Sequence, residues 1–271
     1  MEMRRSKVLD KLGAGEVVSC IKLNLFDSRT IEIAALSGFD CVWSDMEHVP
    51  NDFLAVEKQI LAAKAYNTDI LVRVSRGSYS DLVKPLEMDA SGIMIPHVMD
   101  LADAKNIVRM TRFHPIGRRP IDGGNADGAF CGIDICEYIK QANERRFVII
   151  QIEDPEPLDE LEEIAGLNGI DMLFFGPGDF SHGIGAPGQW NNPELLNARK
   201  KVAEVAVRHG KFAGTVGSLD NLQELISFGY RFVSIGADVV ALAQYFSGII
   251  SGFKRISNLS LSNSRQQGPS F

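Results

Sequence analysis

Apolar runs of four to seven residues recur along the chain, and amphipathic stretches separate them. The runs are apolar over most of their length, which is typical of strands buried on both faces of a parallel sheet. Eight strands are therefore predicted, at residues 17–23, 41–45, 70–74, 92–96, 147–152, 172–175, 211–215 and 232–236. Apolar positions at helical spacing predict the main helices, at residues 6–12, 28–36, 51–65, 80–88, 101–111, 133–141, 158–165, 192–208, 219–228 and 239–253.

Eight strands that alternate with helices favour a closed (β/α)8 barrel, or TIM barrel, over an open doubly wound sheet. The 271 residues suit a single barrel domain of the α/β class. We assign residues 1–255 to this domain. Residues 256–271 are rich in Ser, Asn and Gln and have no apolar period, so we expect a disordered tail there.

The active site of such a barrel lies at the carboxyl ends of the strands, so the polar residues that follow the apolar runs are the informative ones. Glu153 and Asp179 each follow an apolar run, and their carboxylate oxygens suit Mg²⁺ or Mn²⁺. The alternative is that each carboxylate pairs with an arginine or caps the next helix. Asp154 precedes Pro155 and is interpreted as a helix cap instead of a metal ligand.

Arg73 ends an apolar strand, and an inward guanidinium requires an anion such as a carboxylate or an enolate oxygen. The alternative is a structural ion pair with Asp45 or Glu47. His48 is the best candidate for a general base, because the pKa of imidazole lies near neutrality. Alone, it would more often be a surface histidine.

Backbone N–H groups in the Gly176-Pro177-Gly178 turn can bind a substrate carboxylate. The other four histidines, His97 among them, are weaker candidates. We identify no lysine that ends a strand in an apolar setting, so no Schiff-base nucleophile is predicted.

A net charge of −7 argues against a nucleic-acid partner. No apolar run is long enough to span a membrane, and the amino terminus lacks the apolar segment of a secretory signal. The four cysteines form no CxxC pair. A cytoplasmic protein is expected.

Four segments together resemble the metal-dependent 2-oxo acid aldolases of the 4-hydroxy-2-oxoheptanedioate and 2-dehydro-3-deoxyglucarate type. The segments are Gly38-Phe39-Asp40 with Asp45-Met46-Glu47-His48, Leu71-Val72-Arg73-Val74, Gln151-Ile152-Glu153, and Gly176-Pro177-Gly178-Asp179-Phe180-Ser181. The similarity runs from about residue 6 to residue 253. It implies a (β/α)8 barrel that assembles as a homo-oligomer, often a hexamer built from dimers.

The resemblance also implies roles for single residues. Glu153 and Asp179 match the ligands of a divalent metal, Mg²⁺ or Mn²⁺ and possibly Co²⁺. Arg73 matches the arginine that contacts pyruvate, and His48 the catalytic histidine. The remaining matches are a substrate contact at Gln151, the backbone N–H of Gly178 for the pyruvate carboxylate, a substrate position within the motif at Ser181, and a carboxylate that orients the histidine at Glu87.

The implied reaction is cleavage of a 4-hydroxy-2-oxo acid to pyruvate and an aldehyde through a pyruvate enolate, so the expected partners are small molecules. The chain departs from its relatives at Arg118-Arg119 and in the long loop at residues 113–131. Three alternatives stay open. They are a lyase of the citramalyl-CoA type, which would use Arg118-Arg119 to bind the nucleotide, a phosphoenolpyruvate-handling enzyme, and a non-catalytic barrel that binds a 2-oxo acid.

Overall fold

Eight parallel strands pair in sequence order and form a closed barrel, which confirms the predicted fold class. The strands are β1 (Val18–Leu23), β2 (Cys41–Asp45), β3 (Asp69–Arg73), β4 (Gly92–Ile95), β5 (Phe147–Ile152), β6 (Met172–Phe175), β7 (Phe212–Gly217) and β8 (Phe232–Ala237). Pairing of β8 with β1 closes the barrel. β1 therefore lies opposite β5 across the barrel.

The computed structural model describes residues 1–266, with side chains described through residue 257. Its helices are α1 (Lys7–Gly13), α2 (Ser28–Leu36), α3 (Phe53–Ala65), α4 (Tyr79–Glu87), α5 (Leu101–Thr111), α6 (Ile135–Arg145), α7 (Leu161–Ala165), α8 (Pro177–Gly183), α9 (Pro193–Arg208), α10 (Leu222–Phe228) and α11 (Asp238–Gln266). Short 3-10 turns lie at Ala126–Gly128 and Glu156–Leu158. Among these helices, none is both long and apolar enough to cross a bilayer.

Side chains alternate between the barrel interior and the surrounding helices, as the two-residue period of a strand requires. The interior cluster is apolar and contains Val18, Cys20, Trp43, Leu71, Met94, Ile149, Phe174 and Phe232, among others. At the carboxyl ends of the strands the same interior positions become polar. β1 proceeds from Val18 and Cys20 to Lys22, and β3 from Leu71 to Arg73. The polar layer therefore rests on an apolar floor.

Helix α1 closes the opposite end of the barrel. Asp69, at the start of β3, is fully buried and accepts hydrogen bonds from the Val8 N–H at 2.8 Å and the Ser6 hydroxyl at 2.6 Å. Arg4 pairs with the other carboxylate oxygen at 2.8 Å. Val8 and Leu12 of α1 join the apolar interior. The amino-terminal segment thus forms the base of the barrel.

The long loop at residues 113–131 packs beside the amino-terminal end of the barrel. Phe113 and Met3 share an apolar cluster with Tyr138. Buried Arg119 pairs with Asp127 at 2.8 Å and lies over the Phe113 ring. The guanidinium of Arg119 is thus used inside the loop, whereas Arg118 is exposed and lines a surface cavity with Lys105 and Arg109.

The last helix differs from the prediction. α11 runs from Asp238 to Gln266, whereas the sequence analysis ends it at residue 253 and expects disorder from residue 256. No glycine or proline occurs in residues 253–267, so the sequence contains no helix breaker at the predicted boundary. Residues 267–271 of the predicted tail lie outside the described residues.

Candidate active site

A cavity of about 370 Å³ opens at the carboxyl ends of the strands. Its lining comes from both halves of the barrel and consists of Lys22, Trp43, His48, Arg73, Gln151, Glu153, Gly176, Pro177, Gly178, Asp179, Trp190, Val216, Ser234, Gly236 and Ala237. Six of the eight residues predicted for the site are in this set. The fold therefore gathers residues that are far apart in sequence at one mouth of the barrel.

Arg73 lies in a buried ion-pair network. Its Nε donates to Asp45 Oδ1 at 2.9 Å and its Nη2 to Asp45 Oδ2 at 2.6 Å. Nη1 lies 2.8 Å from Glu47 Oε2. This is the structural pairing left open in the sequence analysis, with both candidate partners at once. Because Arg73 also lines the cavity, the network fixes the guanidinium at the wall of the site.

Lys22 is a second cation of this network, and the sequence analysis missed it. Its Nζ lies 2.9 Å from Asp45 Oδ2, the oxygen that also accepts from Arg73. The Lys22 ammonium and the Arg73 guanidinium both lie over the Trp43 ring, 5.4 Å and 4.9 Å from its centroid. The ring faces two cations, an arrangement that compensates part of the cost of their burial.

Asp45 holds the two cations together. Its side chain is fully buried, and burial opposes ionisation. The hydrogen bonds and charges of Arg73 and Lys22 outweigh this cost and lower the pKa of Asp45 to about 2. Asp45 is therefore a carboxylate throughout the neutral pH range.

Glu153 follows β5 and has an exposed fraction of only 1%. Its Oε1 accepts the backbone N–H of His97 at 2.9 Å, and its Oε2 accepts the side-chain amide of Gln151. Burial is the main cause that raises the pKa of Glu153 to about 7, and the charge of Asp179 adds to it. A bound cation would favour the charged form, so this carboxylate fits a metal ligand.

Gly176 leaves the space that these side chains occupy. A Cβ atom at this position would lie 2.6 Å from Glu153 Oε2 and 2.8 Å from Gln151 Nε2. Any larger residue would therefore displace the two polar groups. The glycine of the predicted turn is needed for close approach to the carboxylate.

His97 is the other residue that the sequence analysis undervalued. Its ring Nδ1–H donates to Asp154 Oδ2 at 2.8 Å, and Nε2 lies 3.6 Å from Glu47 Oε1. Its backbone φ of +48° is uncommon for a residue with a side chain, and the hydrogen bond to Glu153 accompanies it. Asp154 therefore orients a histidine, and the prediction that it caps a helix is wrong.

Among the described residues, one group of three potential metal ligands has its donor atoms within 4.8 Å of one another: Glu47, His97 and Glu153. Asp179 lies in the first turn of α8 and lines the same cavity, but it is not a member of that group. Glu153 belongs both to this group and to the predicted pair. The carboxylate oxygens suit a hard divalent ion, and the histidine would also suit Mn²⁺ or Co²⁺.

Gly178 and Ser181 lie on α8, a short helix that the sequence analysis did not predict; it described residues 176–178 as a turn. Gly178 lines the cavity in its first turn, where backbone N–H groups have no partner within the helix. The Ser181 hydroxyl donates to the Gly178 carbonyl at 2.7 Å and accepts the Gly188 N–H at 3.1 Å. Through these bonds Ser181 holds the turn, and since it does not line the cavity, its contact with substrate stays a prediction.

His48 lies at the mouth of the cavity, with its side chain half exposed. Its Nε2 is 3.6 Å from Glu47 Oε2. Glu87 was expected to orient it but lies at the end of α4, among the charges of Arg119, Asp127 and Lys84. The described chain thus brings His48 together with Glu47 and not with Glu87. The physical reason is that α4 runs antiparallel to the strands and carries Glu87 toward the base.

The chain is similar to known proteins over most of its length. Residues 21–244 match the family described as HpcH/HpaI aldolase/citrate lyase. A 2-keto-3-deoxy-L-rhamnonate aldolase from Escherichia coli strain K12 is 30% identical over 250 residues, which are 90% of this chain and 92% of the relative.

Solved structures of similar proteins superpose over most of the chain. A citrate synthase named SbnG is 28% identical with a TM-score of 0.85, over 94% of this chain and 99% of that one. An HpcH/HpaI aldolase from Desulfitobacterium hafniense DCB-2 is 27% identical with a TM-score of 0.85, over 90% and 95% of the two chains.

We expect Asp45→Asn to lower the free energy of unfolding at pH 7 by about 3 kcal/mol, because it leaves Lys22 without its carboxylate partner and Arg73 with Glu47 alone. The pKa of Asp45 is about 2 in the folded chain against 3.8 in the reference state. Its stabilisation is therefore complete above the reference value and is lost as the pH falls toward 2. Urea unfolding across this range measures both effects.

The matched control is Asp10→Asn, at an exposed carboxylate of α1. The control should follow the pH profile of the parent protein, whereas Asp45→Asn should flatten it at its acidic end. Identical profiles for the two variants would contradict the role given to Asp45.

Proposed function

The chain belongs to the HpcH/HpaI aldolase/citrate lyase family, and we propose that it is a divalent-metal-dependent aldolase that cleaves a 4-hydroxy-2-oxo acid to pyruvate and an aldehyde. The observation that carries this proposal is that buried Glu153 and the fixed guanidinium of Arg73 line the same cavity. A carboxylate of raised pKa beside an anion-binding arginine suits a site that takes both a cation and a 2-oxo acid.

Glu153 and Asp179 are the residues that would hold the ion, with Glu47 and His97 beside Glu153. When bound, the ion acts as a Lewis acid on the 2-oxo group. Gln151 donates to Glu153 and keeps its carboxylate in place. Mg²⁺ or Mn²⁺ is the proposed cofactor.

Arg73 and Gly178 position the pyruvyl half of the substrate. The guanidinium offers a charged donor to the 2-oxo oxygen, whose negative charge grows as the carbon–carbon bond breaks. The backbone N–H of Gly178 is available to the substrate carboxylate, and the absence of a side chain there leaves the approach open. Both groups are in place before substrate binds, so little reorganisation is needed.

His48 removes the proton of the 4-hydroxyl group. The C3–C4 bond then breaks, its electron pair moves into the enolate of pyruvate, and the aldehyde leaves. A proton returned to C3 completes pyruvate. Glu47, 3.6 Å from the imidazole, is the carboxylate in place to stabilise the protonated ring.

The alternatives have less support. A lyase for acyl-CoA thioesters would require a cationic groove next to the site. Arg119 is buried in a pair with Asp127, and exposed Arg118 does not line the cavity at the strand ends. A barrel that only binds a 2-oxo acid would leave the imidazole of His48 without a catalytic role. The D₂O experiment below separates this last case from an enzyme.

We also propose that the chain forms a homo-oligomer through α11. Within the described side chains, this helix touches the barrel mainly at β1 and β8. Large apolar side chains stay exposed along it, namely Val240, Leu242, Tyr245, Phe246, Ile249, Ile250, Phe253 and Ile256. Such a surface is typical of an interface, and a second copy of the chain is the occupant that the family resemblance favours.

We expect the purified protein to condense pyruvate with aldehydes in the presence of Mg²⁺ or Mn²⁺, with product mass as the readout. EDTA should stop the reaction and added metal should restore it. His48→Ala should slow it by about 100-fold, because general base catalysis is worth at least that factor. His182→Ala, at an exposed histidine of α8 outside the cavity, is the control and should keep the parent rate.

Exchange of the pyruvate methyl protons in D₂O separates an enzyme from a binding protein. Metal-dependent loss of the methyl signal supports the aldolase. Pyruvate binding with no exchange and no product with any aldehyde would contradict it and favour the non-catalytic barrel.

We expect Mn²⁺ binding, followed by calorimetry, to weaken at least about tenfold in Glu153→Gln and in Asp179→Asn, because each loses a charged ligand. His97→Ala should weaken it less. Glu156→Gln, at an exposed site beyond β5, is the control. Unchanged affinity in Glu153→Gln would refute the metal site. A loss in His97→Ala with none in Asp179→Asn would replace the predicted pair with the Glu47–His97–Glu153 group.

Sedimentation analysis should show an oligomer larger than a dimer. Phe246→Glu together with Ile250→Glu, which place charges on the exposed face of α11, should dissociate it. Glu204→Lys, on the exposed side of α9, is the control. A monomer at micromolar concentration would contradict the proposed interface.

A further inference from the structure

Lys22 occupies the side of the cavity that the cleavage chemistry leaves unassigned. It lies on β1, opposite the strand that carries Gln151 and Glu153. Ser234, Gly236 and Ala237 of β8 line the same wall. A substrate whose pyruvyl half contacts the β5 and β6 side therefore presents its other half to Lys22.

The ammonium group is built into the site. The Lys22 side chain is 23% exposed and its Nζ lies on the Trp43 ring. Within the described residues its one ion-pair partner is Asp45, at 2.9 Å. An ammonium has three donors, so this pairing leaves donors for a ligand in the cavity.

Asp45 does not fully neutralise its surroundings by itself. Both of its oxygens accept from Arg73, and Lys22 shares one of them. One carboxylate thus faces two cations. Glu47 compensates Arg73 from the far side, at 2.8 Å from Nη1, and leaves Lys22 as the cation with the weaker compensation.

The backbone aims Lys22 at the cavity. The register of β1 and β8 shifts between Cys20 and Lys22, and Gly236 on β8 has a φ of +76° beside this point. The extra residue is on β8, because Cys20 pairs with Ser234 and Lys22 with Ala237, so Lys22 keeps the inward phase of Cys20. An irregularity of this kind occurs often next to active sites. Here it lies at the seam where the barrel closes.

We propose that Lys22 determines the acceptor specificity of the enzyme, by binding a carboxylate on the aldehyde half of the substrate. This inference rests on the proposed aldolase function. In the synthetic direction the methyl carbon of pyruvate bonds to the aldehyde carbon, and the methyl proton is replaced by that bond while the new hydroxyl gains a proton. Lys22 takes no part in these steps and acts only on the remote carboxylate.

A carboxylate suits this subsite better than a phosphate. Lysine is a point charge on a flexible stem, and one ammonium balances one negative charge. The wall around it adds one hydroxyl, that of Ser234, and otherwise Trp43, Val216 and Ala237. A phosphate dianion would lack a second cation here, since Arg73 is assigned to the pyruvyl half of the substrate and Lys22 is the other cation that lines the cavity.

The test compares matched aldehydes with and without a carboxylate, at constant pyruvate and metal. The pairs are glyoxylate with glycolaldehyde, and succinic semialdehyde with butanal. For at least one pair, the parent enzyme should show kcat/KM at least about tenfold higher for the carboxylate, the value of one good charged contact. This result stands without any variant, and equal kcat/KM within both pairs would overturn the proposal.

Lys22→Met keeps the length of the side chain and removes the charge. It should lower the ratio of carboxylate to neutral kcat/KM about tenfold, mainly through KM, while Lys22→Arg should keep most of the ratio. Lys200→Met, on the exposed face of α9, is the matched control and should leave the ratio as in the parent. An equal loss for both members of a pair in Lys22→Met would assign Lys22 to the support of Asp45 and overturn the proposal.

Failure of the proposed function has a different signature. A parent protein that neither exchanges the pyruvate methyl protons nor forms product with any aldehyde would refute the proposed aldolase function. Product formed without preference for carboxylates would refute only the role proposed for Lys22. Glyceraldehyde 3-phosphate as a further acceptor, if preferred over both carboxylates, would also count against it.

Discussion

The site depends on one buried carboxylate, that of Asp45, which holds two cations at the mouth of the barrel. Arg73 and Lys22 come from strands on either side of β2, and without Asp45 between them their charges would repel. The network is costly to bury and is stable because each cation has a carboxylate partner. It fixes the guanidinium at the wall of the cavity, where an anion can meet it. The position of Arg73 in the site therefore follows from its ion pair with Asp45, a residue to which no chemical step is assigned.

The rest of the barrel makes this polar layer possible. Below it, Trp43, Phe174 and Phe232 pack edge to face, with ring centroids 5.7 Å and 6.3 Å apart. Gly92 leaves the space that the Phe147 ring fills, so large and small interior positions complement each other. This packing excludes water from beneath the ion pairs, and electrostatic interactions are stronger where water is excluded. The same exclusion raises the pKa of Glu153 on the other side of the mouth.

The sequence predicts the barrel and most of the mouth because both follow from local pattern. An apolar run gives a strand, and a polar residue at its end gives a position on the rim, as Arg73 and Glu153 show. Lys22 was not predicted as a site residue because it lies inside the apolar run of β1. Only its two-residue spacing from Cys20 and Val18 indicates that its side chain points inward. His97 depends on a backbone conformation that no pattern in the chain reveals. Glu87 was misplaced for a reason that topology alone supplies, since a helix that returns to the start of the next strand ends at the base.

Within the described residues, the segment from Arg4 through α1 closes the base of the barrel, and the cavity opens at the carboxyl ends of the strands. A ligand over Trp43 would therefore enter and leave at the strand ends, where His48 and Trp190 also line the cavity. A molecule held deep against Glu153 is then trapped behind whatever lies nearer the rim. A ligand bound near the rim would therefore have to leave before one bound deeper in the cavity.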